Sequence, residues 1–367
     1  MEKRIILLCI TIILIVGAIY YLETQNPNNL ASRSVSVIEQ NNNGRNLSQE
    51  DIARLKLKEK NFRRAIEFVQ PDGYINTDHI NISDLIGKNV ILIDFWTYTC
   101  INCQRTFPYI TSWYNKYKKD GLIVIGVHTP EFDFEKNYDN VKRAVEKYNI
   151  TYPVIQDNEY LTWNAYQNRY WPRKYLIDID GFIVYDHIGE GDYLETEQKI
   201  QELLKERSDV LKLDDKLNTT LTHPEADNTE FSRIGTPEIY FGYGFERGQL
   251  GNEQGWIPEN LVTYSIPDNI DDNKFYLEGQ WRNNKDSMEL ISEKGNIKIR
   301  YFAKNVNLVA GALKPIEINI KIDGKEAGKL EVSNYDLYNI AEGDDYTQHI
   351  LEIEASKGIM AYTFTFG

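Results

Sequence analysis

The 367-residue chain has only three cysteines, which excludes a small scaffold stapled by disulfides. Basic residues are also in short supply: 41 Lys and Arg stand against 55 Asp and Glu, a net charge of −14. Such a surface does not neutralise a phosphate backbone, so nucleic acid is excluded as a partner. A polybasic grip on anionic lipid headgroups is excluded for the same reason. The five histidines (His79, His128, His187, His223 and His349) are scattered. With two cysteines left outside the N-terminal run, they supply no second ligand pair for zinc, and no metal is expected.

Long apolar runs are scarce as well. The one that exists, residues 5–22 (IILLCITIILIVGAIYYL), carries no charge and follows Lys3 and Arg4. It is just long enough to span a bilayer. It ends in Tyr20, Tyr21, Leu22 and Glu23, without a small-residue cleavage site, so it reads as an uncleaved anchor rather than a secretory signal. Lys3 and Arg4 then stay in the cytoplasm, and a single-pass protein results with everything after Glu23 outside the cell membrane. Cys9 lies within this run and reads as an apolar filler, a lipid-modified cysteine being the alternative.

What is present divides the remaining length. After the anchor (1–23), residues 24–66 form an Asn- and Ser-rich tether that ends in a short helical pattern, with Ser48 as its cap and Asp51 three residues on. Residues 67–207 alternate apolar strands with helices, which predicts an α/β layer fold on a mainly parallel sheet. Strands are expected at 90–96, 122–127, 152–155, 175–178 and 182–187, and helices at about 104–119, 135–148, 160–168 and 194–206. A polar linker follows over 208–235. Beyond it the period becomes two: Ile316, Ile318, Ile320 and Ile322 alternate with polar residues up to the turn at Asp323-Gly324. Residues 236–367 therefore read as an all-β sandwich.

The chemistry is concentrated at Cys100-Ile101-Asn102-Cys103, which follows an apolar strand and opens a helix. C-x-x-C alone also suits zinc, and a disulfide closing so small a loop stabilises little. A helix start offers free N–H groups that favour a thiolate at Cys100, so redox exchange is the reading the context supports. Cys100 is then the attacking sulfur and Cys103 the resolving one. Asp94, mid-strand six residues earlier, is costly to bury unless it accepts the Cys103 proton; a solvated edge position is the alternative. Pro108 falls inside the helix, and Pro172 in Tyr170-Trp171-Pro172-Arg173 precedes a strand, where a cis bond or an ordinary turn is possible. His128, Thr129, Pro130 and Glu131 follow a strand at the end where α/β folds place their sites. Glu190 and Asp192 read as helix-start acids. A thiol peroxidase reading uses Thr97, three residues before Cys100, but Ile93 stands where such sites carry a proline.

The block IDFWTYTCINC, with Pro108 and YWP beyond it, resembles the thioredoxin superfamily in its membrane-anchored, TlpA-like branch. FWTYTCINCQRTFPY, GVHTPEF, YPVIQDN, NRYWPRKYLID, GEGDY and the ending AYTFTFG resemble the soluble C-terminal part of DipZ-type proteins over about residues 70–367. The resemblance implies a thioredoxin fold with an inserted strand–helix unit, followed by a jelly-roll domain similar to carbohydrate-binding modules. It implies Cys100 as nucleophile, Cys103 as resolving cysteine, Asp94 as the buried acid and Pro172 as a cis-proline facing the pair. Around these, Trp96, Thr99, Ile101, Asn102, Trp171 and Glu131 are candidates for the rim. DipZ-type proteins carry a multi-span electron-transferring domain upstream, where this chain has one apolar run. The expected function is therefore a thiol–disulfide oxidoreductase, a reductase of exported protein disulfides fed by a separate membrane electron-transfer protein. Its only redox group is the Cys100–Cys103 disulfide, with no further cofactor. The contrasting reading is a surface binding module for a glycan or protein client, with Trp281 and Tyr276 as stacking platforms; an oxidase is a third.

Overall fold

A computed structural model describes residues 48–214, 216–226 and 229–367. The apolar run 5–22 and most of the tether lie outside the described residues. Among those described, no helix is long and apolar enough to cross a membrane. The described residues form two compact units: one lies within residues 48–131 and 135–225, the other within residues 132–134 and 226–367.

In the first unit, α1 (Gln49–Asn61) begins with a complete capping box, in which Ser48 and Asp51 satisfy each other's backbone N–H groups. It stops at Asn61, short of the predicted pattern, because Phe62 is extended and β1 (Arg63–Arg64) pairs with a strand instead. The sheet has the order β1-β7-β6-β3-β4-β5-β2. Its members are β2 (Gly73–Ile75), β3 (Val90–Trp96), β4 (Leu122–His128), β5 (Val154–Gln156), β6 (Arg173–Ile177) and β7 (Phe182–Ile188). β3, β4 and β5 run parallel, and the remaining pairs are antiparallel. Every residue of β3 is buried, as expected for a central strand covered on both faces.

The helices are α2 (Ile82–Leu85), α3 (Ile101–Tyr117), α4 (Tyr138–Lys147), α5 (Leu161–Ala165) and α6 (Tyr193–Leu211). α4 starts later than its periodicity suggests, because the Asn137 side chain accepts the N–H groups of Asp139 and Asn140 and caps it there. α4 and β5 form the strand–helix insert between β4 and β6. α6 runs on to Leu211, into the predicted linker.

The second unit is all-β and antiparallel. Its strands are β8 (Ile239–Tyr240), β9 (Leu261–Tyr264), β10 (Phe275–Asn283), β11 (Met288–Leu290), β12 (Lys294–Ala312), β13 (Ile316–Ile322), β14 (Lys325–Val332), β15 (Asp336–Ser356) and β16 (Ile359–Phe366). β12 pairs with β10 through its first part and with β16 through its second, while β11 joins β10 to β16. The sheet thereby closes on itself through four strands. Bulges near Ala303 and Val306 bend the long β12 where it changes partner. The predicted turn at Asp323-Gly324 joins β13 to β14, with φ of +52° and +75°.

A candidate dithiol active site

β3 delivers the chain to Trp96, and Cys100 is the N-cap of α3. Cys100 is half-buried and Cys103, one turn into the helix, is fully buried; both are free thiols. The Sγ of Cys100 accepts the Cys103 N–H at 3.4 Å, and its S–H faces the Trp171 carbonyl at 4.0 Å. One sulfur is presented to a partner while the other waits behind it.

The second wall is the turn leading into β6. The Trp171–Pro172 peptide is cis. The turn is tied down on both sides: Trp171 Nε1 donates to the Thr129 carbonyl at 3.0 Å, and Gly189 N–H donates to the Pro172 carbonyl at 2.8 Å. Behind the dithiol lies Asp94, 1% exposed, with neither carboxyl oxygen hydrogen-bonded among the described residues. Burial pushes its carboxyl up to about 7, against the pull of Lys174. Burial likewise raises the Cys103 thiol well above its ordinary value, and the Cys100 sulfur adds to the rise.

Ile101, Asn102 and Trp171 are half-buried around the pair; Glu131 is half-buried too, its N–H donating to Glu135 Oε2 at 2.6 Å. Two other rim candidates are not at the surface. Trp96 is fully buried, edge-on to Phe107 and His128, because it ends a strand that is covered on both faces. Thr99 is also buried, its hydroxyl donating to Glu135 Oε1 at 2.6 Å. Thr97 is buried, with Oγ1 3.5 Å from His128 Nε2. Burial pushes His128 down to about 3, so its ring is neutral.

Trp281 and Tyr276 are corrections too. Trp281 is fully buried with Nε1 donating to the Glu278 carbonyl, and Tyr276 is 3% exposed with its hydroxyl accepting the Asp271 N–H. Gly251 lies so close over the Tyr276 ring that a Cβ there would sit 2.1 Å from it. Neither ring offers a face to a ligand.

Sequence reasoning missed three side chains, Lys174, Glu135 and Tyr152, and the partner of a fourth, Glu190. Lys174 sits opposite Asp94 and is fully buried. Glu190 pairs with Arg105 at 3.1 Å, with side-chain exposures of 8% and 6%, rather than simply opening a helix. Glu135 holds Thr99, and Tyr152 is buried with its hydroxyl unpartnered among the described residues. Lys174 stands beside Arg173 at the start of β6, so nothing local in the sequence marks its burial.

A dithiol at a helix start, backed by a buried acid and facing a cis X-Pro turn on a sheet of this order, defines the thioredoxin-like class. The comparisons with known proteins agree. Residues 63–186 match the AhpC/TSA family, and residues 236–367 match the thioredoxin-like C-terminal domain. Protein DipZ of Mycobacterium bovis is 38% identical over 298 residues, which are 80% of this chain and 41% of that protein. The chain thus spans about two-fifths of the DipZ length. Thiol-disulfide oxidoreductase ResA of Halalkalibacterium halodurans is 31% identical over 142 residues, 39% of this chain and 74% of that one. Thiol-disulfide oxidoreductase YkuV of Bacillus subtilis is 28% identical over 122 residues, 33% of this chain and 82% of that one. The chain belongs to the thioredoxin-like thiol-disulfide oxidoreductases.

Proposed function

We propose that the chain exchanges disulfides with exported proteins through Cys100 and Cys103, and that it works as a reductase. The observation that carries this reading is the asymmetry of the pair, a half-buried cysteine whose sulfur receives a helix N–H beside a fully buried thiol, over a carboxyl with no hydrogen-bond partner among the described residues. Cys100 Sγ attacks a client disulfide and forms the mixed disulfide. Cys103 Sγ then attacks Cys100 Sγ, releasing the client thiolate and closing the Cys100–Cys103 disulfide. Two electrons pass to the client, and no other redox group is needed. Clients are proteins carrying disulfides or thiols. A separate membrane electron-transfer protein re-reduces the pair, and the run 5–22 anchors the chain so that both units face outward.

The β-unit is read as a jelly-roll-like docking module for a client or a glycan. Its closed antiparallel sheet favours this, and any glycan contact uses rings other than Trp281 and Tyr276. A Cys103→Ala chain expressed in cells tests the reading. Client proteins linked to Cys100 are expected, and their absence after thiol quenching sinks it. A midpoint potential more oxidising than that of the glutathione pool would make the protein an oxidase instead.

A further inference from the structure

A further buried carboxylate, Asp157, follows β5 directly and is 2% exposed. Its oxygens take three donors. Oδ1 accepts the Thr162 N–H at 2.9 Å, while Oδ2 accepts the Trp163 N–H at 2.8 Å and the Thr129 hydroxyl at 3.3 Å. The first two bonds close the start of α5, where Tyr160, at φ +58°, supplies no side-chain cap. Capping accounts for those two. The third reaches back to the chain after β4 and needs another reason.

That reason is Trp171. Its Nε1 donates to the Thr129 carbonyl at 3.0 Å, and its ring packs on that of Trp163 with centroids 4.3 Å apart. Thr129 and Trp163 hold the indole, and they are the two residues that Asp157 Oδ2 ties together. The same residue precedes cis-Pro172, and its carbonyl faces Cys100 Sγ at 4.0 Å. An asparagine cannot replace the carboxylate, because its amide nitrogen brings donors to a place where three donors already converge.

We propose that Asp157 is a positioning residue for the first exchange step: its carboxylate ties Thr129 to Trp163 and so holds Trp171 as the wall against which Cys100 meets a client disulfide. This deepens the thiol–disulfide reading above and rests on it. In that step the Cys100 thiolate attacks one client sulfur, the client S–S bond breaks, and the other sulfur leaves with the electron pair. The wall adds no atoms to the reaction. It fixes the line of approach, where a displacement of about 1 Å costs up to about 100-fold in rate.

Burial pushes the Asp157 carboxyl up to about 6, against the pull of its three donors, and Asp72 adds to the rise. The titratable groups on neighbouring elements are Asp72 ahead of β2, His128 at the end of β4, Lys136 ahead of α4, and Glu159 and Tyr160 in the turn before α5. Burial holds His128 neutral. A proton on Asp157 takes one oxygen away from its donors, so the tie slackens as pH falls through about 6.

The test follows the full chain by nitrogen–proton NMR of the Trp171 indole, assigned by its loss in Trp171→Phe. Alongside it, the full chain carrying Cys103→Ala reports the rate of mixed-disulfide formation with glutathione disulfide. The indole resonance is expected to titrate with a midpoint of about 6 and to lose that titration in Asp157→Asn. Asp157→Asn slows mixed-disulfide formation at pH 7 about ten-fold. Thr129→Val removes only the third bond and leaves the start of α5 capped. It slows the same step several-fold and flattens the titration. In the Trp171→Phe background neither substitution changes the rate by more than about two-fold. An indole that titrates alike in parent and variants, or the same slowing with and without Trp171, overturns the proposal. Should Asp157→Asn not fold, Thr129→Val decides it alone. If glutathione disulfide leaves Cys100 unmodified, the functional reading fails while the indole titration still decides the tie.

Discussion

The backbone N–H of Cys103 points at the sulfur of Cys100, 3.4 Å away across the first turn of α3. This contact gives the two cysteines different work, since negative charge on Cys100 is met by the helix start while Cys103 stays buried. Cys100→Ser is therefore expected to abolish reduction of glutathione disulfide, by at least a hundred-fold on the scale of lost nucleophiles. Cys103→Ala should leave the first attack intact and accumulate the mixed disulfide. Stopped-flow fluorescence of each variant separates the two steps, and equal loss of the first step in both would contradict the division.

Asp94 makes stability depend on pH with a definite sign. Its carboxyl is raised from 3.8 to about 7, so between these values the folded chain holds a proton that the unfolded chain has released. That contribution to stability is complete below about pH 4 and is lost as pH rises through about 7. Asp94→Asn removes the ionisation and should gain about 1–3 kcal/mol over the parent at pH 8, with little gain at pH 4. Losing the counter-charge of Lys174 trims the gain. Urea melts at the two pH values check it, and an equal gain at both would show that Asp94 ionisation is not responsible.

The Arg105–Glu190 pair is nearly inaccessible to solvent on both sides. Breaking it from one side strands a buried charge, so Glu190→Ala should cost about 3–5 kcal/mol. Thermal melts measure the cost. A loss below about 1 kcal/mol, the range of exposed pairs, would mean that the partner escapes to water.

Lys58 ties α1 to the first unit. Its ammonium lies 2.7 Å from Asp178, 3.0 Å from Asp180 and 2.5 Å from Glu206, and Arg54 adds a second cation 2.8 Å from Asp180. The three carboxylates are thus already occupied by lysine, not arranged around a vacancy for a cation. Lys58→Met should destabilise the unit by about 3 kcal/mol or more and speed amide exchange along α1. Exchange unchanged in α1 would contradict the tie.

The parts legible in the sequence were those written locally. Cys100 and Cys103 announce themselves by spacing at a strand–helix junction, Asp94 by a charge inside an apolar strand, and Asp323-Gly324 by turn chemistry. The parts that were not legible depend on register or on distant chain segments. Lys174 matters because β6 pairs antiparallel with β3 and brings it opposite Asp94, which no local pattern encodes. Trp281 and Tyr276 point to opposite faces of β10, and alternation suggests that one face is free. The closed sheet and the loop carrying Gly251 cover both faces. α1 ends early at Asn61 because a two-residue pairing with β7 wins over its helical periodicity.

The most direct test of the account is equilibration of the reduced full chain with glutathione buffers, read by mass spectrometry of the quenched protein. The prediction is a two-electron oxidation that joins Cys100 to Cys103, with Cys103→Ala halting at a single glutathione on Cys100. Two free cysteines persisting in a large excess of glutathione disulfide would contradict it.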